Sequence, residues 1–387
     1  ELATVFRILD KPKAAETFTY MDQDLRQELI KTFSSTEIAN LFEELFADDA
    51  ADFLGDMPAN FVTQLLENVG PETRRTINSL LQYPDDSAGS IMTVEFVELD
   101  PDMTVDAALE KIRRVGIDSE TVYTCYAVKR HKLLGVVTAK DLLTHGRAEP
   151  IAPLILSDYI SVKTTDDREY AANLFRRYGL IAIPVVDTEG CIVGIVTFDD
   201  AIGVLTEETT EDMQKMAAME ANTEPYLKTS VWKHARHRIV WLLVLMLSAS
   251  ITGAIISKYE AAFAAVPLLV SFIPMLMDTG GNCGSQSSTL IIRGLAVDEL
   301  HFADTARIVW KELRVALLVG LGLGLVNAGS IMLRYNDPRL AVVVSLSLLC
   351  TVMCAKVTGG LLPIAAKRLG LDPALMAAPL ITTVVDT

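Results

Sequence analysis

The sequence predicts a multidomain protein in which helical and α+β domains precede a polytopic α-helical membrane domain. Apolar runs such as Ile239 to Ile256 and Val315 to Leu333 have the ~17 to 25 residues that a bilayer span needs. An internal repeat occupies the middle of the chain. The charge is uneven, since residues 1–230 hold 41 acidic and 21 basic side chains, whereas residues 231–387 hold 9 and 13. The apolar runs exclude a wholly soluble protein.

The pattern over residues 1–85 predicts a small stack of helical hairpins. Apolar residues recur at helical spacing, as in Ile38, Leu41 and Leu45, and Pro58 and Pro71 separate short helices. We therefore expect these residues to form a helical N domain.

An acidic stretch in this domain places Asp48, Asp52 and Asp56 at i, i+4 and i+8, on one helix face. Two interpretations are open. The face is a solvated helix surface, or a bound cation neutralises it, because like charges at this spacing cost roughly a few tenths of a kcal/mol per pair.

Residues 86–205 contain the internal repeat. A Gly, a Thr and an Asp recur with one constant offset, as Gly135, Thr138 and Asp141 and again as Gly194, Thr197 and Asp200. Each copy predicts a strand, a helix, two strands joined by a turn, and a helix that opens at the Asp. The segment resembles a tandem CBS-domain pair, a class that often holds adenine nucleotides. The resemblance implies ATP as a candidate ligand, with Asp141 and Thr138 as contacts. Helix capping by these two residues is the alternative.

Residues 206–230 predict an acidic connecting helix that runs from Glu207 to Glu220. Acidic residues near a helix N-terminus interact favourably with the helix dipole. The pairs Glu207/Glu211 and Glu208/Asp212 nevertheless repel at i,i+4, so this helix would gain stability from a bound cation.

The apolar segments of residues 231–387 predict five transmembrane helices. The apolar segments are Ile239 to Ser257, Ala261 to Met277 with its continuation to Ile292, Val315 to Leu333, Leu340 to about Ala366, and a segment that starts at Asp372. Basic residues flank one end of these segments, which predicts a cytoplasmic N-terminal half. We expect that the chain is trimmed before Glu1 and that the fifth helix is truncated, because only 16 residues remain from Asp372 onward.

Two of these segments carry polar groups that a lipid-facing helix avoids. Asp278, Asn282 and Gln286 recur every four residues and form one face of carboxylate and amide oxygens. Asp386 lies roughly 21 Å beyond the start of the fifth segment if the helix is unbroken. An acidic side chain at that depth predicts a functional site. The alternative is a structural ion pair between Asp386 and Lys356.

The run Pro274 to Arg293, with Asp372 to Ala374 and Pro379 to Asp386, resembles the MgtE family of magnesium channels. The order of domains agrees over essentially the whole chain. The resemblance implies a homodimer whose second and fifth spans line a pore, in which Asp386 binds the ion beside Gly281 and Asn282. It also implies cytosolic Mg²⁺ sites at Glu16, Asp48, Asp52, Asp200, Glu208, Glu211, Asp212 and Asp372. Gly203 stands where the family pattern has a carboxylate.

Our hypothesis is a Mg²⁺ channel or transporter of the plasma (inner) membrane that moves Mg²⁺ into the cytoplasm and closes when cytosolic Mg²⁺ bridges its acidic faces. The alternative is a nucleotide-sensing membrane protein with CBS regulation and another divalent cation, Co²⁺ or Mn²⁺. The acidic pore face disfavours an anion channel. A secondary transporter usually shows repeats among its spans, and we see none. The expected partners are a second copy of the chain and membrane lipid.

Several other classes are disfavoured by composition. The net charge of −20 over residues 1–230 repels nucleic acid. The five cysteines form no CxxC pair, so a thiolate metal site is not expected. No nucleophile elbow, P-loop or His/Cys ligand set supports an enzyme.

Overall fold

In the computed structural model the chain consists of two structural units, and the boundary between them lies between Thr206 and Glu207. The structure describes residues 2–55, 57–222, 226–297 and 299–387. Within these ranges, the first unit contains a set of short N-terminal helices and the two repeat copies, and the second unit contains the long apolar helices.

Short helices form the N-terminal part of the first unit: α1 Leu2–Phe6, α2 Lys11–Thr19, α3 Gln23–Thr32, α4 Ser35–Glu44, α5 Ala47–Gly55, α6 Ala59–Leu66 and α7 Pro71–Leu80. At the start of α4, Ser34 and Glu37 exchange side-chain and backbone hydrogen bonds as a capping box. Phe18, Phe42 and Phe53 are buried, and their rings pack together. The predicted helical stack is therefore confirmed.

Each repeat copy forms a three-stranded sheet with the same topology. The first copy contains β1 Phe96–Leu99, α8 Val105–Val115, β2 Thr121–Lys129, β3 Lys132–Thr138 and α9 Ala139–Thr144. The second contains β4 Val162–Lys163, α10 Arg168–Tyr178, β5 Ala182–Val186, β6 Ile192–Thr197 and α11 Phe198–Met216. In both sheets the first strand is parallel to the second, and the second is antiparallel to the third. The predicted order of elements is confirmed.

From Glu207 to Met216 the acidic connecting segment is the second half of α11 and not a separate helix, and the helix ends four residues before the predicted end at Glu220. β6 leads directly into α11 at Phe198, so the helix start predicted near Glu207 is wrong. The acidic residues between 207 and 212 lie well inside the helix. Because the helix dipole acts mainly within the first turn, it does not explain them.

The second unit contains α12 Val231–Lys258, α13 Glu260–Ala265, α14 Ile273–Ala296, α15 Thr305–Tyr335, α16 Pro338–Arg368 and α17 Ala378–Asp386. Among the described residues, three segments are long and apolar enough to cross a membrane: Val231–Lys258, Phe302–Tyr335 and Pro338–Arg368. They contain the first, third and fourth predicted spans. The total of five spans stays a prediction.

The second and fifth predicted spans are interrupted by 3-10 turns. The turn Pro267–Phe272 separates α13 from α14, so the segment from Ala261 to Met277 is not one helix. The turn Pro373–Met376 and the extended residue Ala377 precede α17. The unbroken helix assumed from Asp372 to Asp386 is therefore wrong.

Glycines let α14 approach both α16 and α17 closely. A Cβ atom on Gly280 would lie 2.7 Å from Thr351 of α16, and one on Gly281 would lie 2.5 Å from Thr382 of α17. A Cβ atom on Gly359 would collide with the backbone oxygen of Gly284. Small residues permit such close helix contacts in membranes, and these contacts fix the position of α14.

Candidate functional site

Six carboxylates converge within the first unit, and we call this cluster the acidic junction: Asp48, Asp49, Glu95, Glu120, Asp199 and Asp200. They come from the start of α5, the strand starts of the first repeat copy and the first turn of α11. The Ala47 amide donates a hydrogen bond to Glu95 Oε1 at 3.3 Å, which joins α5 to the first repeat copy. The Thr197 hydroxyl lies 2.6 Å from Asp199 Oδ1 and 2.5 Å from Asp200 Oδ2.

Burial and mutual repulsion raise the pKa values of the acidic junction. Burial, followed by the charge of Asp200, raises the pKa of Asp48 well above its usual range. Burial, followed by the charges of Asp199 and Asp200, raises the pKa of Glu120 to about 7. Burial raises the pKa of Asp200 to about 6, although the hydrogen bond from Thr197 lowers it. The charged forms of these carboxylates are therefore destabilised in the cluster, and a bound cation would stabilise them.

Within the acidic junction, Asp48 gives the clearest indication of a cation site. Its side chain is buried, and its Oδ1 atom has no hydrogen-bond partner among the described residues. A buried unsatisfied carboxylate oxygen is destabilising, so a cation at this position fits the site. Of the two interpretations of this helix face, the solvated surface is therefore wrong for Asp48, whereas Asp52 is exposed.

Two other predicted N-domain ligands lie elsewhere. Glu16 on α2 and Asp52 on α5 are exposed, and Asp56 lies outside the described residues. In the part of the chain that the structure describes, no three or more His, Cys, Asp or Glu side chains are arranged to hold one metal ion. The acidic junction is thus a charge cluster and not a preformed chelate.

Thr and Asp occupy equivalent positions at the end of both repeat copies. The Thr138 hydroxyl donates to Asp141 Oδ2 at 2.5 Å and accepts from the Asp141 amide, so Thr138 caps α9. Capping, the alternative to a nucleotide contact, is therefore observed for Thr138. Thr197 and Asp200 make the equivalent side-chain contact in the second copy, inside the acidic junction.

A lysine connects two of the predicted Mg²⁺ ligands in the second unit. Lys215 Nζ donates to Asp372 Oδ2 at 2.7 Å and forms an ion pair with Glu211. Burial, followed by the charge of Asp372, raises the pKa of Asp212. Burial on its own lowers the pKa of Lys215, but its hydrogen bonds to Asp372 and Glu211 outweigh this effect and raise it. Glu208 is half-buried one turn before Asp212.

The polar face predicted on the second span lies on one exposed side of α14. Asp278, Asn282 and Gln286 are all exposed. Gly281 and Gly284 of the same helix are buried and lie against α16 and α17. Because these polar side chains are not covered by the described part of the chain, the face is available to water, an ion or a second protein surface.

Asp386 lies beside this region on α17. Its Oδ1 atom is buried without a hydrogen-bond partner among the described residues, and Asp278 is close enough to repel its charge. A cavity of about 280 Å³ adjoins it, lined by Ala249, Thr252, Gly253 and Ile256 of α12, Met277 of α14, and Thr383 and Asp386 of α17. This cavity is large enough for several water molecules.

Lys356 does not pair with Asp386, so the alternative of a structural ion pair between them is wrong. The Lys356 ammonium donates to Ser287 Oγ at 3.3 Å, and the Ser287 hydroxyl donates to Glu312 Oε2 at 2.6 Å. All three side chains are buried. Lys356 therefore belongs to a polar triad that links α14, α15 and α16.

Four residues of the acidic junction were not among the candidate ligands: Asp49, Glu95, Glu120 and Asp199. Asp49 and Asp199 are each next to a candidate, so paired acidic residues could have indicated them. Glu95 and Glu120 meet because Phe96 of β1 pairs with Thr121 of β2 in parallel, directly after both residues. That pairing register is not visible in the sequence.

Comparison with known proteins identifies the family to which the chain is similar. Family models match the chain in three parts: the MgtE intracellular N domain over residues 1–86, the CBS domain over 88–147 and 151–207, and MgtE, a divalent cation transporter, over 273–387. The magnesium transporter MgtE of Thermus thermophilus is 37% identical over 389 residues, which cover 99% of this chain and 86% of that protein. The magnesium transporter MgtE of Bacillus subtilis is 30% identical over 399 residues, with 100% and 88% coverage.

A solved structure resembles the first unit. The cytosolic domain of the Mg²⁺ channel MgtE in complex with ATP is 34% identical, with a TM-score of 0.50, and the match covers 52% of this chain and 83% of that one. The long apolar helices and the match to a divalent cation transporter model place the chain among membrane proteins of the cation-transporter class. The chain belongs to the MgtE family, which is a transporter family and not an enzyme family.

Proposed function

We propose that this chain transports Mg²⁺ across the plasma (inner) membrane into the cytoplasm, as a homodimer with a pore lined by α14 and α17. The observation that carries the proposal is the exposed polar face of α14, formed by Asp278, Asn282 and Gln286, beside Asp386. Polar groups at membrane depth need water or a protein partner. A second copy of the chain facing this surface would enclose a hydrated path for an ion.

The chemistry of this path suits Mg²⁺. The ion prefers six oxygen ligands and gives up water reluctantly, so proteins usually hold it through one or two carboxylates. A dimer would offer two Asp386 carboxylates, with amide oxygen from Asn282 and backbone oxygen near Gly281 on the adjacent helix. The names of the Thermus and Bacillus relatives favour Mg²⁺ over Co²⁺ or Mn²⁺ as the substrate.

Cytosolic Mg²⁺ would regulate this pore through the acidic groups outside the membrane. The unsatisfied oxygen of Asp48 supports a cation in the acidic junction, where Asp200 lies close to it. Glu208, Glu211, Asp212 and Asp372 would form a second cation-binding region in the second unit. Glu16 and Asp52 would act as exposed carboxylates that attract the ion. Mg²⁺ closes the pore in this scheme because it binds the closed form better.

A nucleotide on the repeat pair is a second element of the proposal. The solved cytosolic domain of an MgtE channel holds ATP, and Asp141 with Thr138 are the candidate contacts here. Asp141→Ala should weaken ATP binding measured by calorimetry on the full chain in detergent. Unchanged affinity would remove Asp141 from the site, and no binding to the parent would remove the nucleotide.

Mg²⁺ uptake into liposomes tests the pore. Asp386→Asn should abolish uptake, because the ion loses its carboxylate ligand, while the protein still elutes as a dimer in gel filtration. Glu299→Gln is the control, since it removes an exposed carboxylate in a loop of the same unit. If Asp386→Asn took up Mg²⁺ as fast as the parent protein does, the assignment of Asp386 to the pore would be contradicted. Uptake of Co²⁺ or Mn²⁺ but not Mg²⁺ by the parent would favour the alternative substrate.

A further inference from the structure

The ammonium of Lys215 lies between two carboxylates that the proposed regulation assigns to a Mg²⁺ ion, Glu211 and Asp372. Lys215 lies one turn after Glu211 on α11, and its ammonium bridges that carboxylate to Asp372, 157 residues further along the chain. The three side chains are only 26%, 30% and 31% exposed, respectively. The lysine thus supplies a positive charge between carboxylates from two separate segments.

Both oxygens of Asp372 are already engaged. Oδ1 accepts a hydrogen bond from the Ala374 amide at 2.8 Å, which caps the turn before α17, and Oδ2 accepts from Lys215 at 2.7 Å. A metal ion that binds Asp372 through Oδ2 would meet the ammonium at close range. Because two cations repel at that distance, the ammonium has to leave before the metal binds.

We propose that Lys215 is an intramolecular cation that competes with Mg²⁺ for Glu211, Asp212 and Asp372, and so sets the Mg²⁺ concentration at which this region closes the pore. This inference rests on the proposed regulation of the pore. Lys215 is suited to the role, since its ammonium sits on a flexible four-carbon stem that can swing to solvent. Displacing it exchanges one monovalent charge for a divalent ion, which the three carboxylates bind better.

A different role would give the opposite effect. If Lys215 were a latch that holds α11 against the start of the fifth span in the closed form, its removal would favour opening and raise the Mg²⁺ concentration needed for closure. A competitor, in contrast, opposes Mg²⁺ binding. Its removal lowers that concentration.

The test is Mg²⁺ flux through the full chain in liposomes, with Mg²⁺ varied on the side of the N-terminal unit. Lys215→Met should lower the half-inhibiting Mg²⁺ concentration roughly two- to fivefold, the range expected for losing a partly exposed ion pair. Lys215→Gln should shift it in the same direction. Lys215→Arg, which retains the positive charge, should stay near the parent. Lys140→Met removes an exposed lysine from the first unit and should leave inhibition unchanged.

The outcomes separate the inference from the proposed function. No shift in Lys215→Met and Lys215→Gln, or a shift to higher Mg²⁺, would overturn the competition. A parent that Mg²⁺ does not inhibit would overturn the proposed regulation, and the inference with it. Addition of Asp372→Asn to Lys215→Met should raise the half-inhibiting Mg²⁺ concentration again, because the shared carboxylate is then lost. A double variant with the same lowered concentration as Lys215→Met would overturn the assignment of Asp372 as the shared ligand.

Discussion

At the residue scale, the triad of Ser287, Glu312 and Lys356 explains how the second unit accommodates two opposite charges in its interior. The serine hydroxyl connects them, since it accepts from the lysine and donates to the glutamate. A buried charge is tolerated when it is paired and hydrogen-bonded, but removal of one partner leaves the other uncompensated. Because Ser287 belongs to α14, the triad also fixes the rotation of the helix that carries the polar face.

A double-mutant cycle tests the triad. Glu312→Gln and Lys356→Met should each destabilise the protein by about 3–5 kcal/mol, because each leaves one buried charge unpaired, and the double variant should recover most of the loss. Thermal unfolding in detergent measures the effect. Lys311→Met changes an exposed lysine next to Glu312 and is the control. Additive losses in the double variant would show that the two charges are not coupled.

Lys356 is recognisable in the sequence as a charge within a membrane segment, but the partner predicted for it is wrong. Counting residues along a helix gives depth, and Lys356 and Asp386 have similar depths by that count. Depth does not give the direction of a side chain, since each residue turns about 100° around the helix axis. On α14, Gln286 is exposed and the next residue, Ser287, is buried beside Lys356.

At the element scale, the close contact of α14 with α16 depends on a pair of glycines. The backbones meet at Gly284 and Gly359, where a Cβ atom on Gly359 would overlap the Gly284 carbonyl oxygen. A backbone oxygen cannot rotate away as a side chain can. This contact therefore sets the distance between the two helices and, with the triad, the orientation of the proposed pore helix.

Alanine should have different effects on stability at two glycines of the second unit. Gly359→Ala should destabilise the protein by about 1–3 kcal/mol, because the added methyl group forces the two helices apart. It should also reduce Mg²⁺ uptake. A Cβ atom on Gly322 of α15 would meet no described atom within 4 Å, and Gly322→Ala should be neutral or stabilise by up to about 1 kcal/mol, since alanine favours helices. Equal effects of the two changes in thermal unfolding would contradict this account.

The elements were predictable where a local pattern defines them. Helical spacing, the constant offset between the two repeat copies and the long apolar runs predict the N-terminal helices, both copies and three long membrane helices. Prediction failed at junctions between elements. α11 begins at Phe198 because β6 passes directly into it, and α17 begins after the extended residue Ala377. No acidic or apolar periodicity marks either junction.

At the scale of the whole molecule, the net negative charge of the chain is concentrated in the first unit. The acidic junction shows why the composition of the first unit predicts a cation partner: burial and like charges oppose ionisation of Asp48, Glu120 and Asp200. Only part of this site could be predicted from the sequence. Glu95 and Glu120 belong to it through the parallel pairing of β1 with β2, two strands that α8 separates along the chain.

The same pKa shifts predict how the stability of the first unit depends on pH. Glu120 and Asp200 have pKa values of about 7 and about 6 in the folded protein, whereas carboxyl groups in unfolded chains titrate near pH 4. The folded unit therefore binds protons more tightly than the unfolded chain. The stability that these groups contribute is complete below about pH 4 and is lost as the pH rises through about 6 to 7.

Limited proteolysis of residues 1–206 within the full chain in detergent measures this dependence. Without Mg²⁺, cleavage should be faster at pH 7.5 than at pH 5.5, after normalisation to an unfolded peptide at each pH. Mg²⁺ should slow cleavage mainly at pH 7.5, because protons occupy the same carboxylates at lower pH. Glu120→Gln should reduce the dependence on pH, whereas Glu98→Gln, an exposed change on β1, should preserve it. Protection by Mg²⁺ that is equal at both pH values would mean that the ion binds outside the acidic junction.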